Sequence, residues 1–117
     1  MRDMSKIFDY IIVAVDFDGT ICDDKTFPKI VGATYTQQKL IDRLIAMREA
    51  GHKVILNTCR GGKLLDEAVG WCKEKGLEFD AVNDNLPEVK KAFFELSGKV
   101  FANFYIDDRN VLPEEIN

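Results

Sequence analysis

Short apolar stretches alternate with longer segments of helical periodicity along most of the chain. Stretches such as "IIVAV" and "HKVILN" have the length and the β-branched content of buried strands. Between them, apolar residues recur every three or four positions, as they do on one face of a helix. We predict strands near 11–15, 52–57, 79–82 and 104–106, and helices near 35–50, 63–75 and from about 85. This order predicts parallel strands joined by right-handed crossovers, in a three-layer α/β/α fold with a Rossmann-like sheet.

Length and composition limit the classes of protein. The 117 residues fit one domain, 1–117, and the contents of 46% hydrophobic and 31% charged residues are ordinary for a globular protein. A formal net charge of −4 does not favour nucleic acid as a partner. The apolar run 10–15 is too short for a membrane span or a signal peptide, so we expect no membrane partner. The three cysteines form no CxxC pair, and we predict a reduced, cytoplasmic setting.

Two aspartates follow the first predicted strand in "VAVDFDGTICDD". Asp16 and Asp18 are two residues apart, and in an extended chain such residues project from the same side. Two ionised carboxylates held close together repel each other unless a cation or a shared proton lies between them. This stretch therefore predicts a bound metal, a shared proton, or both.

Other polar residues follow the remaining predicted strands. Thr58 comes after the second strand, and Asp107 and Asp108 of "YIDDR" come after the last one. In an open parallel sheet, ligands bind at the carboxyl ends of the strands, so these residues are expected at one edge with Asp16 and Asp18. A set of carboxylates without a cluster of His or Cys suits a hard cation, and Mg²⁺ fits best.

These motifs resemble those of a known family. "DFDGT" looks like the first motif of the haloacid dehalogenase (HAD) superfamily of phosphotransferases, "VILNT" looks like its second, and "YIDDR" looks like its acidic fourth. The resemblance runs from Ile11 to about Arg109. It implies a Mg²⁺-dependent phosphatase that forms an aspartyl phosphate.

The resemblance also implies a role for each matching residue. Asp16 would be the nucleophile, and Asp18 would be the general acid and base. Thr58 would donate a hydrogen bond to a phosphoryl oxygen. Asp107, Asp16 and the main-chain carbonyl of Asp18 would hold Mg²⁺, with Asp108 as a further ligand or as a residue that orients one.

Four more residues are expected on the substrate side of this edge: Gly19, Thr20, Cys59 and Arg60. Arg60 either contacts the substrate or covers the rim of the site. Cys59 lacks the spacing to Arg60 that a cysteine phosphatase requires, and we expect a buried structural thiol. The glycines Gly61 and Gly62 open a helix whose free N–H groups can face an anion.

The basic residue of the third motif has two candidate positions. "GKVFANFYIDD" resembles a variant of small superfamily members that points to Lys99. A continuous strand over 100–107 would put Lys99 roughly 25 Å from the metal. Lys99 therefore requires a short strand, about 103–107, whose preceding residues double back. Otherwise Lys90 or Lys91 takes the role.

The reaction and the substrate are constrained less tightly. The acid Asp18 favours phosphate esters over carbon–halogen bonds, since superfamily dehalogenases lack an acid there. The segments 18–34 and 83–88 leave no room for a substantial cap domain, and the 22–31 loop is a minimal lid. An open site suits a large phosphorylated substrate, or a second subunit covers it in a homo-oligomer. The alternatives are phosphoryl transfer to an acceptor other than water, a receiver-like signalling module, and a weakly catalytic binding protein.

Overall fold

The computed structural model describes residues 8–92 and 100–107 of the chain. Within them, strands and helices follow one another in the predicted order: β1 (Ile12–Val15), α1 (Tyr35–Glu49), β2 (Lys53–Leu56), α2 (Gly62–Glu74), β3 (Ala81–Val82), α3 (Pro87–Ala92) and β4 (Phe104–Ile106). The strands form one sheet in the order β3-β2-β1-β4, and every pairing is parallel. The predicted small Rossmann-like α/β fold is confirmed.

The strand β1 lies in the interior of the sheet, and all four of its residues are buried. Val15 is paired in register with Leu56 of β2 on one side and with Ile106 of β4 on the other. The chain moves outward from β1 to β2 and β3, and then crosses back to add β4 on the opposite side of β1. The strand order therefore reverses between β1 and β4. In open α/β sheets such a reversal opens the crevice in which ligands bind.

The core lies on both faces of the sheet, because successive side chains of a strand point to opposite faces. Val13 and Val15 of β1 belong to a cluster that also holds the buried residues of α1 and α2. Ile12 and Ala14 belong to a second cluster, together with Val89 of α3. Helices thus cover both faces, as the three-layer prediction requires.

The helix α1 begins at a capping box. The Gln37 N–H donates to the Thr34 Oγ1 at 3.2 Å, and the Thr34 N–H donates to the Gln37 Oε1 at 2.8 Å. These bonds satisfy backbone donors that the first turn of a helix leaves open. The Gln37 Nε2 also donates to the Cys22 carbonyl at 3.1 Å. The capping residue therefore fixes the start of the 22–31 loop against α1.

The two positions at which a cap could be inserted hold only loops in the described structure. Residues 16–34 contain turns and one isolated bridge, but no helix and no strand. Between β3 and α3 the chain has four residues, 83–86. Neither segment can form a separate covering domain. Among the helices of residues 8–92 and 100–107, none has the length and the apolar character needed to cross a bilayer.

Packing of α1 against the sheet predicts the effect of a core truncation. Leu44 is fully buried in the cluster that joins α1 to β1 and β2, and Leu44→Ala should lower the free energy of unfolding by about 2–5 kcal/mol. Tyr35 is 79% exposed on the same helix, and Tyr35→Ala should change it by less than about 0.5 kcal/mol. Urea denaturation of both variants measures the difference. Equal losses would contradict the packing described here.

Candidate active site

Two carboxylates follow neighbouring strands at the reversal of strand order. Asp16 comes directly after β1 and Asp107 directly after β4. The Asp16 N–H donates to the Ile106 carbonyl at 2.9 Å, so the pairing of the two strands continues to this point. Adjacent parallel strands lie about 4.8 Å apart. Because Val15 and Ile106 are in register, Asp16 and Asp107 are the next adjacent pair.

The donor atoms at this pair suit a hard cation. Carboxylate and main-chain carbonyl oxygens are the ligands that Mg²⁺ takes, and one or two carboxylates suffice because water and phosphate supply the rest. In residues 8–92 and 100–107, no group of three or more His, Cys, Asp or Glu side chains is arranged to hold a metal. The pair Asp16 and Asp107 fits Mg²⁺, and Asp108 lies outside the described residues.

Thr58 lies at the same edge, two residues beyond β2. Its N–H donates to the Asn83 Oδ1 at 2.7 Å, and its Oγ1 accepts the Arg60 N–H at 3.2 Å. Since the hydroxyl oxygen serves as an acceptor towards Arg60, its O–H can donate in another direction. Asn83 and Arg60 thus restrain Thr58, and its contact with a phosphoryl oxygen stays a prediction.

Asn83 was not among the predicted site residues. It follows β3 directly, has a positive φ of 52°, and holds the backbone of Thr58 through its side chain. Asparagine is enriched in this left-handed conformation. The turn-forming run "VNDN" after the third strand is the sequence signal that could have identified this position.

The chain bends after Asp16, so Asp16 and Asp18 are not two residues of one extended strand. The Phe17 carbonyl accepts the Ile21 N–H at 2.9 Å, which closes a turn. Gly19 sits in that turn with a φ of 80°, a conformation that other residues rarely adopt. The prediction that both side chains project from the same side of one extended strand is therefore wrong, because the chain leaves the extended conformation between them.

Arg60 is the cationic partner of Asp18. Its Nε donates to Oδ2 and its Nη2 donates to Oδ1, each at 2.8 Å. The Arg60 side chain is 1% exposed and that of Asp18 is 19% exposed. The hydrogen bonds to Asp18 raise the pKa of the Arg60 guanidinium above its ordinary value, although burial acts in the opposite direction. The sequence did not predict this pair, and the bound metal or shared proton that was expected between Asp16 and Asp18 stays a prediction.

Arg60 also contacts the surrounding loops. Its Nη2 donates to the Pro28 carbonyl at 2.9 Å, and its Nη1 donates to the Leu64 carbonyl at 3.2 Å. The guanidinium carbon lies 5.0 Å from the centre of the Phe17 ring and 5.3 Å from that of Phe27. Arg60 is therefore a buried residue beneath the 22–31 loop, and its expected place on the rim is wrong. A contact between Arg60 and a substrate stays a prediction.

Thr20 is buried beside Gly19, with 3% of its surface exposed. Its Oγ1 has no hydrogen-bond partner within the described part of the chain. A buried hydroxyl without a partner costs roughly 1–3 kcal/mol. Such a group is unusual enough in a folded protein to require an explanation. A contact between Thr20 and substrate stays a prediction.

The expectation of a buried thiol at Cys59 is wrong. Cys59 is exposed, while Cys22 and Cys72 are buried. Cys59 lies in the loop between β2 and α2, where its neighbour Arg60 takes the interior position.

The region before β4 bears on the choice between the candidate lysines. The strand begins at Phe104, and the Tyr105 O–H donates to the Val100 carbonyl at 2.6 Å. A fully extended chain would separate Val100 and Tyr105 by roughly 16 Å, which is more than a tyrosine side chain spans. The strand is thus short and the residues before it fold back, which is the condition that Lys99 requires.

The structure describes two of the three candidate lysines. Lys99 lies outside the described residues. Lys90 and Lys91 are exposed in α3. The Lys90 Nζ donates to the Asp84 Oδ2 at 2.5 Å. Lys90 therefore forms an ion pair at the surface of the loop that precedes its own helix.

Comparison with known proteins gives one informative similarity. The fold resembles a solved structure described as that of a conserved protein from Bacteroides thetaiotaomicron, with a TM-score of 0.72 and 39% sequence identity. The match covers 87% of this chain and 78% of that protein. No protein-family model and no curated protein matches the chain. The name of that protein states no activity.

The burial of the cysteines predicts their reactivity. Burial raises the pKa of the Cys22 thiol to about 11 and that of Cys72 to about 12, and the thiolate is the form that reacts. We expect a disulfide reagent such as Ellman's to modify Cys59 rapidly in the native protein at pH 8. All three thiols should react in denaturant. A native protein that loses two or three thiols at the fast rate would contradict the burial of Cys22 and Cys72.

The buried hydroxyl of Thr20 predicts an unusual substitution. Thr20→Val keeps the shape of the side chain and removes a polar atom that has no partner, so it should not lower the free energy of unfolding and should raise it by up to about 1 kcal/mol. Thr36→Val, at an exposed position in α1, is the control and should change it by less than about 0.5 kcal/mol. Chemical denaturation measures both. A loss of more than about 1 kcal/mol in Thr20→Val would mean that the fold itself uses the hydroxyl.

Proposed function

This chain belongs to the same family as the conserved protein of Bacteroides thetaiotaomicron, and we propose that it is a Mg²⁺-dependent phosphomonoester hydrolase of the haloacid dehalogenase (HAD) type. The observation that carries the proposal is the pair Asp16 and Asp107, which follow adjacent strands where the strand order reverses. Thr58 and Asp18 follow the strands of the same edge. In this proposal one phosphate meets all four groups: the nucleophile, the acid, the hydroxyl donor and the cation site.

Asp16 is the proposed nucleophile. Its Oδ1 accepts the Phe17 N–H at 2.8 Å, which restricts the rotation of the carboxylate. A carboxylate oxygen attacks phosphorus, the bond from phosphorus to the ester oxygen breaks, and an aspartyl phosphate forms. When bound at Asp16, Asp107 and the main-chain carbonyl of Asp18, Mg²⁺ supplies positive charge that reduces the repulsion between carboxylate and phosphate.

Asp18 is the proposed general acid and base. Asp18 acts as an acid only in its protonated form, released from the ion pair with Arg60. It then gives that proton to the ester oxygen as the alcohol leaves, and it accepts a proton from the water that attacks the aspartyl phosphate. That second attack releases inorganic phosphate and restores the Asp16 carboxylate. An acid at this position serves an oxygen leaving group, which favours phosphate esters over carbon–halogen bonds.

Further groups are proposed to bind the phosphoryl oxygens. Thr58 donates its O–H, and the first N–H groups of α2 add partial positive charge. Gly61, at the N-cap of α2, has no side chain that could satisfy those donors. Lys99 is proposed as the basic residue of the third motif, and the short β4 supports it. Gly19, Thr20 and Cys59 are proposed to line the substrate side, and Asp108 to support the metal.

The loops favour hydrolysis of a large or protruding substrate. No cap element lies within residues 16–34 or 83–86, so water and bulky esters both have access, unless a second subunit covers the site. Transfer to another acceptor is the alternative that the same chemistry allows. A receiver-like module is less favoured, since receivers carry the accepting aspartate after the third strand rather than the first, and without an acid two residues beyond it. The three free cysteines agree with the cytoplasmic location that we propose.

Hydrolysis of p-nitrophenyl phosphate tests the proposal. We expect turnover that requires Mg²⁺ and stops with EDTA. Asp16→Asn should abolish turnover, and Asp18→Asn should lower kcat by about 10²–10⁴-fold. Asp107→Asn should raise the Mg²⁺ concentration needed for half-maximal rate, because it removes one ligand oxygen.

The control is Asp42→Asn, an exposed carboxylate of α1 that accepts a hydrogen bond from Gln38. It should retain the wild-type rate and Mg²⁺ dependence. Wild-type turnover that is unchanged by EDTA, or that survives Asp16→Asn, would overturn the proposal. A wild type that accumulates stable phosphate on Asp16 without releasing it would favour transfer to another acceptor.

A further inference from the structure

The 22–31 loop carries an aromatic ring that is held in place and yet open to solvent. The Phe27 N–H donates to the Asp24 carbonyl at 3.1 Å, which closes a turn at the ring's own residue. One face of the ring lies over the guanidinium of Arg60, whose carbon is 5.3 Å from the ring centre. Phe27 is nevertheless 56% exposed, so more than half of its surface is accessible to another molecule.

The guanidinium beneath Phe27 gives the ring a fixed support. The Arg60 side chain is 1% exposed, and its nitrogens donate to Asp18 and to the Pro28 and Leu64 carbonyls at 2.8 to 3.2 Å. A cation over the face of an aromatic ring attracts the ring, and more strongly when the cation is desolvated. The bond to Pro28, the residue after Phe27, holds the loop to the same group. The ring therefore has a defined position above Arg60.

That position is close to the carboxylate of Asp18. Nη2 of Arg60 donates to the Asp18 Oδ1 at 2.8 Å, and the guanidinium carbon is one covalent bond from that nitrogen. The centre of the Phe27 ring is therefore at most about 10 Å from the Asp18 Oδ1. In the proposed reaction the alcohol part of the ester leaves beside Asp18. Phe27 thus lies on the side of the site where that alcohol part is bound.

An aromatic alcohol part suits this surface best. Aromatic rings pack with their centres about 4.5–7 Å apart, and the pair gains more than the buried area alone provides. A ring next to the ester oxygen can reach Phe27 over the distance just given. Because no cap element lies within residues 16–34 or 83–86, neither segment encloses the alcohol part. A fixed, exposed ring gives it a surface on which to pack.

We propose that Phe27 is a specificity-determining residue, whose exposed ring packs against the alcohol part of the substrate. The preferred substrates are then phosphate monoesters that carry an aromatic ring on the ester oxygen or one carbon away from it. The inference rests on the phosphate site of the proposed function and names the substrate class of that site. It concerns binding alone and involves no proton transfer.

Two phosphonates isolate this contact from the chemistry of hydrolysis. Benzylphosphonate and ethylphosphonate have a carbon in place of the ester oxygen of phenyl phosphate and methyl phosphate, so their bond to phosphorus is not hydrolysed. They differ in the group that meets Phe27, which is a phenyl ring in one and a methyl group in the other. Titration calorimetry with Mg²⁺ measures the Kd of each without turnover. We expect wild type to bind benzylphosphonate about tenfold more tightly than ethylphosphonate.

The experiment compares variants of Phe27 with a matched control. Phe27→Ala should raise the Kd of benzylphosphonate about three- to tenfold and leave that of ethylphosphonate unchanged. Phe27→Trp keeps an aromatic ring and should stay within about twofold of wild type. Tyr35→Ala removes another exposed ring that lies over a cation, the Lys39 ammonium at 5.4 Å, and should change neither Kd.

A further variant covers the case in which Phe27→Ala does not fold. Phe27→Leu keeps an apolar side chain over Arg60 and removes only the ring. It should raise the Kd of benzylphosphonate about two- to fivefold, again without an effect on ethylphosphonate.

The outcomes separate this inference from the proposed function. A wild type without a preference for benzylphosphonate overturns the inference, as does an unchanged Kd in the Phe27 variants, an equal loss for both phosphonates, or the same shift in Tyr35→Ala. If such a protein still hydrolyses p-nitrophenyl phosphate with Mg²⁺, the phosphatase proposal stands. A wild type that binds benzylphosphonate through Phe27 but hydrolyses neither p-nitrophenyl phosphate nor phenyl phosphate overturns the phosphatase proposal, and leaves Phe27 as the contact of a protein that binds aromatic phosphates.

Discussion

The parallel pairing of β1 with β2 and β4 is the interaction on which the rest of the site depends. It brings Val15 into register with Leu56 and Ile106, and the hydrogen bond from the Asp16 N–H to the Ile106 carbonyl extends the pairing to the first carboxylate. A slip of one residue would turn the buried side chains of β1 to the wrong faces. Packing on both faces of the sheet therefore stabilises the register of β1 against β2 and β4. That register keeps Asp16 and Asp107 adjacent.

The second determinant is the buried ion pair of Asp18 and Arg60. Removing a charged group from water costs several kcal/mol, and an ion pair recovers this only with good geometry and further hydrogen bonds. Arg60 has both, since its nitrogens also donate to the Pro28 and Leu64 carbonyls. A buried pair of this kind is weak evidence for stability. The Arg60 side chain contacts three segments: the turn after β1, the 22–31 loop and the start of α2.

Periodicity and strand-end position were enough to predict the sheet, its helices and the shared edge of Asp16, Thr58 and Asp107. The strands and helices can be predicted from local rules, because their apolar residues repeat at short, regular intervals along the sequence. The partner of Asp18 was not predictable in this way, since Asp18 and Arg60 are 42 positions apart and meet only through the turn after β1. The exposure of Cys59 and the role of Asn83 depend on the path of loops, for which sequence gives no period. The sequence allowed either a continuous strand over 100–107 or a short one. The hydrogen bond from Tyr105 to Val100 shows that the strand is short.

The central claim is that Asp16 forms a covalent bond to phosphorus. Acid quenching during turnover of p-nitrophenyl phosphate with Mg²⁺, followed by peptide mass spectrometry, examines it most directly. The account predicts that phosphate is found on the peptide that contains Asp16 and that the label is absent in Asp16→Asn. It also predicts that the label increases in Asp18→Asn when the leaving group needs no proton, because the second step still requires a base. Turnover with no phosphorylated peptide, or with phosphate on another residue, would contradict the account.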